Sequence, residues 1–270
     1  CNLTCRGCYI ESSPSNDRLV YITAAEVSGF LDEAETKAMG TEEVGFTGGE
    51  PFMNPEIIPM LEDALVRGFR VIVLTNAMKP MHKLEVPLLD LADRYGGKLI
   101  LRVSIDHYSQ GLHETERGER SWAPAMEGLQ WLSLHRFSLQ VAGRTCWGES
   151  EESLRRGYAR LFAGHDIAVD VEDREALVLF PEMDATRDVP EITESCWERL
   201  SVDPGTIMCA SSRMVIRRKG EARPVVVSCT LIPYDRAFEL GRTLEEASRT
   251  VVLNHPHCAR FCVLGAGSCS

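Results

Sequence analysis

The chain has 270 residues, enough for one large α/β domain with an appendage. Its 44% hydrophobic content is that of an ordinary globular protein, and 29 Lys and Arg against 40 Asp and Glu leave a formal net charge of −11. That balance argues against non-specific binding to nucleic acid or an anionic membrane, whose phosphates repel it, and no apolar run approaches the roughly 20 residues that span a bilayer.

The chain opens on Cys1-Asn2-Leu3-Thr4-Cys5-Arg6-Gly7-Cys8, a C-x3-C-x2-C run with Tyr9 directly after it. Three thiolates on one short loop can hold three irons of a [4Fe–4S] cube and leave the fourth open to a small molecule. Zinc sites usually take four ligands in two separated pairs, and electron-transfer ferredoxins complete all four positions with cysteine. Three buried thiols or a zinc site remain the alternative reading.

A capping box, Thr23-x-x-Glu26, predicts a helix with Val27, Phe30, Leu31, Ala34 and Ala38 on one face and Gly40 as its stop. A strand over 44–47 follows, then Gly48-Gly49-Glu50-Pro51. Asn54-Pro55 predicts the next helix start, with Pro at the first helical position and Gly68 at the end. A strand over 70–75, a helix near 81–95 and a strand over 99–104 come next. A helix over 122–134, a strand over 137–142, a helix over 151–163 and a strand over 176–180 complete the alternation. Strands alternating with helices of this length imply parallel βαβ units. An open (β/α)6 partial barrel fits, with the active site at the C-terminal strand ends.

After Pro181 the pattern breaks. Residues 182–204 are polar and irregular and read as a linker between domains at 1–181 and 205–270. Arg213 to Arg218 and Pro224 to Ser228 predict a hairpin around Lys219-Gly220-Glu221, bracketed by Cys209 and Cys229. A short helix and a tail carrying Cys258, Cys262 and Cys269 end the chain. Ten cysteines clustered at the two ends fit iron–thiolate chemistry in a reducing cytoplasm better than disulfides.

The cluster loop, the GGE run and the polar residues Asn76, Ser104 and Asp106 at successive strand ends resemble the radical S-adenosylmethionine (SAM) enzymes. The segment His113-Glu114-x-x-Arg117-Gly118 resembles that superfamily's peptide-modifying branch. The resemblance implies that the first barrel strand precedes Cys1, which agrees with a chain that does not begin with Met.

It implies Cys1, Cys5 and Cys8 as ligands of a [4Fe–4S] cluster whose open iron binds the amino and carboxylate groups of SAM. One electron from the reduced cluster then cleaves the C5′–S bond, giving methionine and a 5′-deoxyadenosyl radical. Gly48 and Gly49 let the backbone approach a ligand, and Glu50 accepts from the methionine ammonium. Ser104 and Asp106, on one face of a strand end, reach the ribose or methionyl end of SAM, and Asn76 holds the matching place one strand earlier. Arg144 pairs with the SAM carboxylate or is a surface ion pair. Leu179-Phe180-Pro181 packs near adenine or is ordinary core.

The C-terminal cysteines resemble the twitch and SPASM extensions of the same superfamily, which carry auxiliary clusters. Five candidates, Cys209, Cys229, Cys258, Cys262 and Cys269, suit one auxiliary [4Fe–4S] cluster, with Cys209 and Cys229 joined by two of the last three. A zinc knuckle is the alternative. Cys146 and Cys196 are either buried thiols or, for Cys146, part of the cavity wall, and His107 is more structural than catalytic. The implied protein is a cytoplasmic radical SAM oxidoreductase that modifies a peptide or protein side chain. It would take electrons from a low-potential donor such as flavodoxin or ferredoxin, with no nucleic-acid or membrane partner. The alternatives are a radical SAM enzyme of a small metabolite and a non-catalytic iron–sulfur carrier, for which an intact GGE run has no use.

Overall fold

In the computed structural model, residues 1–182 and 188–265 are described. The chain divides into two compact units, one of residues 1–16 and 23–179, the other of 17–22 and 180–270.

The first unit is built on strands β1 (Glu43–Phe46), β2 (Arg70–Thr75), β3 (Leu99–Ser104), β4 (Ser138–Arg144) and β5 (Leu177–Phe180), whose last residue belongs to the second unit. Their order in the sheet is their order in the sequence, and the pairs from β1 to β4 are parallel, in registers such as Val44↔Val71, Val73↔Leu101 and Val103↔Val141. A parallel sheet needs a crossover between neighbours, and helices supply it. After α1 (Ala24–Thr36), which precedes β1, they are α2 (Ile57–Val66), α3 (Lys79–His82), α4 (Glu85–Tyr95), α5 (Gln110–Arg117), α6 (Trp122–Leu134) and α7 (Glu151–Gly164). This is the expected partial (β/α) barrel architecture. The core is the apolar strands, with Val71, Val73, Leu99, Leu101, Val103 and Val141 buried, against Leu61, Leu88, Leu129 and Leu154 of the helices. The polar residues after β1, β2, β3 and β4 lie at C-terminal strand ends, which is where a parallel sheet exposes its crevice.

Two expectations are corrected. The helix after β1 does not begin at Asn54-Pro55. Residues Pro51–Met53 form a 3-10 turn capped by Glu50, the Asn54 side chain accepts from Glu56 N at 3.0 Å, and α2 starts at Ile57. The single helix expected over 81–95 is two pieces, α3 and α4. Pro87 sits in the first turn of α4, and its ring would clash with the Lys83 carbonyl if the helix ran through.

The second unit holds a three-stranded antiparallel sheet, β6 (Met214–Ile216), β7 (Val225–Val227) and β8 (Glu239–Gly241), with Ile216 opposite Val225 and Met214 opposite Val227. The hairpin β6–β7 was expected; β8 was not. Ile216, Val225 and Val227 form its core, with Leu19 and Met214 packed on it. Leu19 comes from the arm 17–22. Val20 N donates to Arg217 O at 2.8 Å, Lys219 N donates to Arg18 O at 3.0 Å, Lys219 pairs with Asp17, and the Arg18 guanidinium lies 3.7 Å over the Tyr234 ring. Short helices α8 (Ser195–Leu200), α9 (Met208–Ser211) and α10 (Leu244–Ala247) and a wide π-type turn over Cys258–Val263 complete the unit. No described helix is long and apolar enough to cross a membrane.

Candidate functional site

In the first unit the polar strand ends converge on the Cys1–Cys8 loop. Gly48 has φ +139, a conformation open to glycine, and starts the turn after β1. At Gly49 a Cβ would stand 2.4 Å from the Cys1 Cβ and 2.4 Å from Ser12 Oγ, so the turn and the cysteine loop are packed backbone to side chain. Asn2 lies between the first two cysteines, and its Oδ1 accepts from Asn76 Nδ2 at 2.8 Å. Asn76 Oδ1 in turn accepts from Met78 N at 3.1 Å, which fixes the turn after β2 around Ala77, at φ +55.

Glu50 is 3% exposed. It accepts from Phe52 N (3.2 Å), Asn76 N (2.8 Å) and the Thr75 hydroxyl (2.9 and 3.1 Å), and no cation is within ion-pair distance of it among the described residues. Burial pushes its carboxyl up, and the two amides and the hydroxyl pull back. Three donors leave one of about four acceptor sites of the carboxylate open, enough for one donor from a ligand.

At the end of β3, Ser104 is partly buried, and its hydroxyl has no hydrogen-bond partner among the described residues. Asp106 is held by Arg117 from α5, Nε to Oδ2 at 2.8 Å and Nη2 to Oδ1 at 3.1 Å, a two-pronged ion pair. The Cys5 thiol is pushed up by burial, with the nearby Arg117 charge pulling against it. Ser12 N donates to Cys8 Sγ at 3.2 Å. Arg144, at the end of β4, is 6% exposed and therefore not a surface residue. Its Nη1 donates to Glu116 Oε2 at 2.8 Å and to Gly7 O at 3.3 Å, its guanidinium lies 4.7 Å from the centre of the Tyr9 ring, and its Nε is buried with no partner. An unmatched buried donor and a carboxylate without a cation fit a ligand that carries both an ammonium and a carboxylate, as SAM does.

His107 is 1% exposed, and its imidazole is closed in structure. Ser109 N donates to Nδ1 at 2.9 Å, which leaves the proton on Nε2 for Glu149 Oε1 at 2.8 Å. Tyr108 also donates to Glu149, and the Trp147 indole donates to Asp106 O, so the loop after β4 is tied to the loop after β3.

In the second unit, Cys209, Cys229, Cys258 and Cys262 line one pocket with Met208, Ser228 and His257 and an apolar remainder. Burial pushes the Cys209 and Cys258 thiols up. Ser228 Oγ is buried with no partner. Thiols that burial keeps neutral, in an apolar pocket, are a donor set that a metal centre would ionise. Among the described residues no three His, Cys, Asp or Glu converge on one point as ligands of a single ion; a cubane instead gives each thiolate its own iron. Cys269 lies outside the described residues. Cys196, on α8, is outside the pocket, and hydrogen bonds from Thr193 hold its thiol pKa down. Glu116, Asn2 and Ser228 were not foreseen. Glu116 adjoins Arg117 in the recognised segment, but its partners lie 28 and 109 residues away.

The pattern of the Radical SAM superfamily matches residues 1–145, more than half of the chain, and the chain belongs to that superfamily. Over 272 residues it is 26% identical to the antilisterial bacteriocin subtilosin biosynthesis protein AlbA of Bacillus subtilis (strain 168), covering 93% of this chain and 57% of that protein. Over 145 residues it is 28% identical to the AdoMet-dependent heme synthase of Methanosarcina barkeri (strain Fusaro / DSM 804), covering 52% of this chain and 38% of that one. The solved structure of anSMEcpe with bound AdoMet shares the fold, with a TM-score of 0.61 at 12% identity over 96% of this chain and 79% of that chain. The chain thus spans little more than half of the longer-matching curated relative.

Proposed function

We propose that this chain is the catalytic part of a radical SAM enzyme that modifies a peptide. Cys1, Cys5 and Cys8 hold the cluster that binds SAM. Bound there, the reduced cluster and SAM supply a carbon radical by one-electron cleavage of the C5′–S bond. The protein's own part is positional. Glu50 offers its remaining acceptor site to the methionine ammonium, and Arg144 Nε its proton to the carboxylate. Ser104, with its hydroxyl free, faces the ribose. Asp106, with both oxygens on Arg117, acts chiefly by holding the strand end.

The observation that carries the peptide reading is the similarity to AlbA across 93% of the chain, which continues past the superfamily match into the cysteine-rich second unit. AlbA is named for the biosynthesis of a bacteriocin. In the second unit of this chain, Cys209, Cys229, Cys258 and Cys262 are proposed to hold one auxiliary [4Fe–4S] cluster in a twitch- or SPASM-like domain. The small-metabolite reading draws on the heme synthase, whose similarity covers 52% of the chain against 93% for AlbA.

The test is paired. Anaerobically reconstituted protein should carry about two [4Fe–4S] clusters, one per thiol set. Triple Cys→Ala at Cys1, Cys5 and Cys8 should remove one cluster and abolish 5′-deoxyadenosine formation. Cys209→Ala with Cys229→Ala should still form 5′-deoxyadenosine after dithionite reduction, yet make no modified peptide by mass spectrometry. A double variant that modifies peptide at the wild-type rate defeats the role given to the second unit.

A further inference from the structure

The segment between Cys5 and Cys8 is held from outside by one residue. Glu116, in the last turn of α5, takes Arg6 N on its backbone carbonyl at 2.8 Å and Gly7 N on Oε2 at 3.0 Å. The same Oε2 receives Arg144 Nη1 at 2.8 Å, and Arg144 Nη1 reaches Gly7 O at 3.3 Å. The pair is buried, with side chains 8% and 13% exposed for Arg144 and Glu116. A second observation agrees. A Cβ on Gly7 would stand 2.7 Å from Arg144 Nη1 and 2.8 Å from Glu116 Oε2, so the pair fills the space a side chain would need.

We propose that Glu116, with Arg144, is a positioning pair for the cluster loop. It holds the peptide between Cys5 and Cys8 in its ligating shape and keeps the cluster hard to reduce, that is, low in potential. Two physical effects point the same way. The Arg6 and Gly7 N–H groups are turned onto Glu116, so they do not donate to cluster sulfur, and such hydrogen bonds raise a cluster's potential. The carboxylate also neutralises Arg144, whose bare cation beside the loop would favour the reduced, more negative cluster. The inference rests on the proposed cluster at Cys1, Cys5 and Cys8.

Loaded Glu116→Gln, Arg144→Lys and wild-type proteins are compared, with Glu119→Gln as the control. Glu119 is an exposed carboxylate three residues on, and its replacement makes the same charge change. The signal followed is the reduced-cluster electron paramagnetic resonance line that the triple cysteine variant lacks. If that variant keeps every line, the cluster assignment fails, not the positioning role. Expected for Glu116→Gln is a midpoint potential shifted upward in a redox titration and faster deuterium uptake in the peptide over residues 5–9. Arg144→Lys, which keeps the charge but loses the fork, should speed uptake with a smaller shift in potential. Glu119→Gln should match wild type in both. If Glu116→Gln does not fold, Arg144→Lys alone decides, by its uptake. Wild-type potential and uptake in a loaded Glu116→Gln, or wild-type uptake in Arg144→Lys, overturns the proposal.

Discussion

His113 gives the sharpest prediction of stability against pH. The side chain is completely buried on α5, its ring edge-on to Trp122 with centroids 5.4 Å apart, and neither ring nitrogen has a partner among the described residues. Burial, helped by the Arg117 charge, lowers its pKa from 6.5 to about 4. A histidine lowered on folding refuses a proton that the unfolded chain accepts. Its contribution is intact above the unfolded value of 6.5 and is lost as pH falls toward about 4. The whole shift corresponds to about 3 kcal/mol, of which roughly 1.3 kcal/mol falls between pH 7.5 and 5.5. Phe replaces the ring without a titrating group and keeps the edge-on contact. In anaerobic urea unfolding followed by tryptophan fluorescence, wild type should lose roughly 1.3 kcal/mol more than His113→Phe between those pH values, at equal m-values. Parallel losses in the two proteins would refute the reasoning and mean that His113 is hydrated or paired in solution.

Other substitutions test other parts. Glu50→Ala should weaken SAM binding by roughly 1.5–3 kcal/mol, the worth of a hydrogen bond to a charged group, measured by equilibrium dialysis of the loaded protein. Cys262→Ser should cost the auxiliary iron, because Cys262 is one of the four thiols that line the pocket; iron and sulfide analysis reads the loss. Arg117→Met should destabilise by roughly 3–5 kcal/mol, since it strands the Asp106 carboxylate, and much of that should return in the Arg117→Met, Asp106→Asn double variant, as shown by a double-mutant cycle in urea. Gly128→Ala should destabilise clearly by its thermal midpoint, because the new Cβ would fall 1.8 Å from the Ala77 carbonyl oxygen.

The parallel sheet was legible because β2 is an apolar run and β3 one broken only by Arg102, both buried on both faces, and α6 carries its own period. Trp122–Leu134 is the range expected. What the sequence hid was set by distant partners. β8 is three residues long, Glu239-Leu240-Gly241, with no alternation to mark it, and it exists because β7 offers an edge. The start of α2 moved because Glu50 caps its own 3-10 turn, a choice made by Thr75 and Asn76 across the sheet. Motif spacing pointed to the convergence of Cys1, Gly49, Asn76 and Arg144 at the strand ends, since each strand end carries one polar signal. The use of Arg144 was not legible, because a guanidinium's partner in a fold depends on where α5 ends.

The arm 17–22 has a consequence for how the protein is made. Its partners Arg217, Arg218 and Lys219 lie about 200 residues downstream, so on the ribosome the arm emerges long before anything it can pair with. Closing so long a loop adds little entropy beyond a shorter one, but it fixes an order of events. The hairpin edge stays uncovered until the arm returns to it. A fragment beginning at 180 would carry that edge permanently bare, a template for pairing with other copies. A transplantable version of this cysteine-rich unit therefore needs two pieces of chain, the tail and a six-residue strip from near the first cysteine.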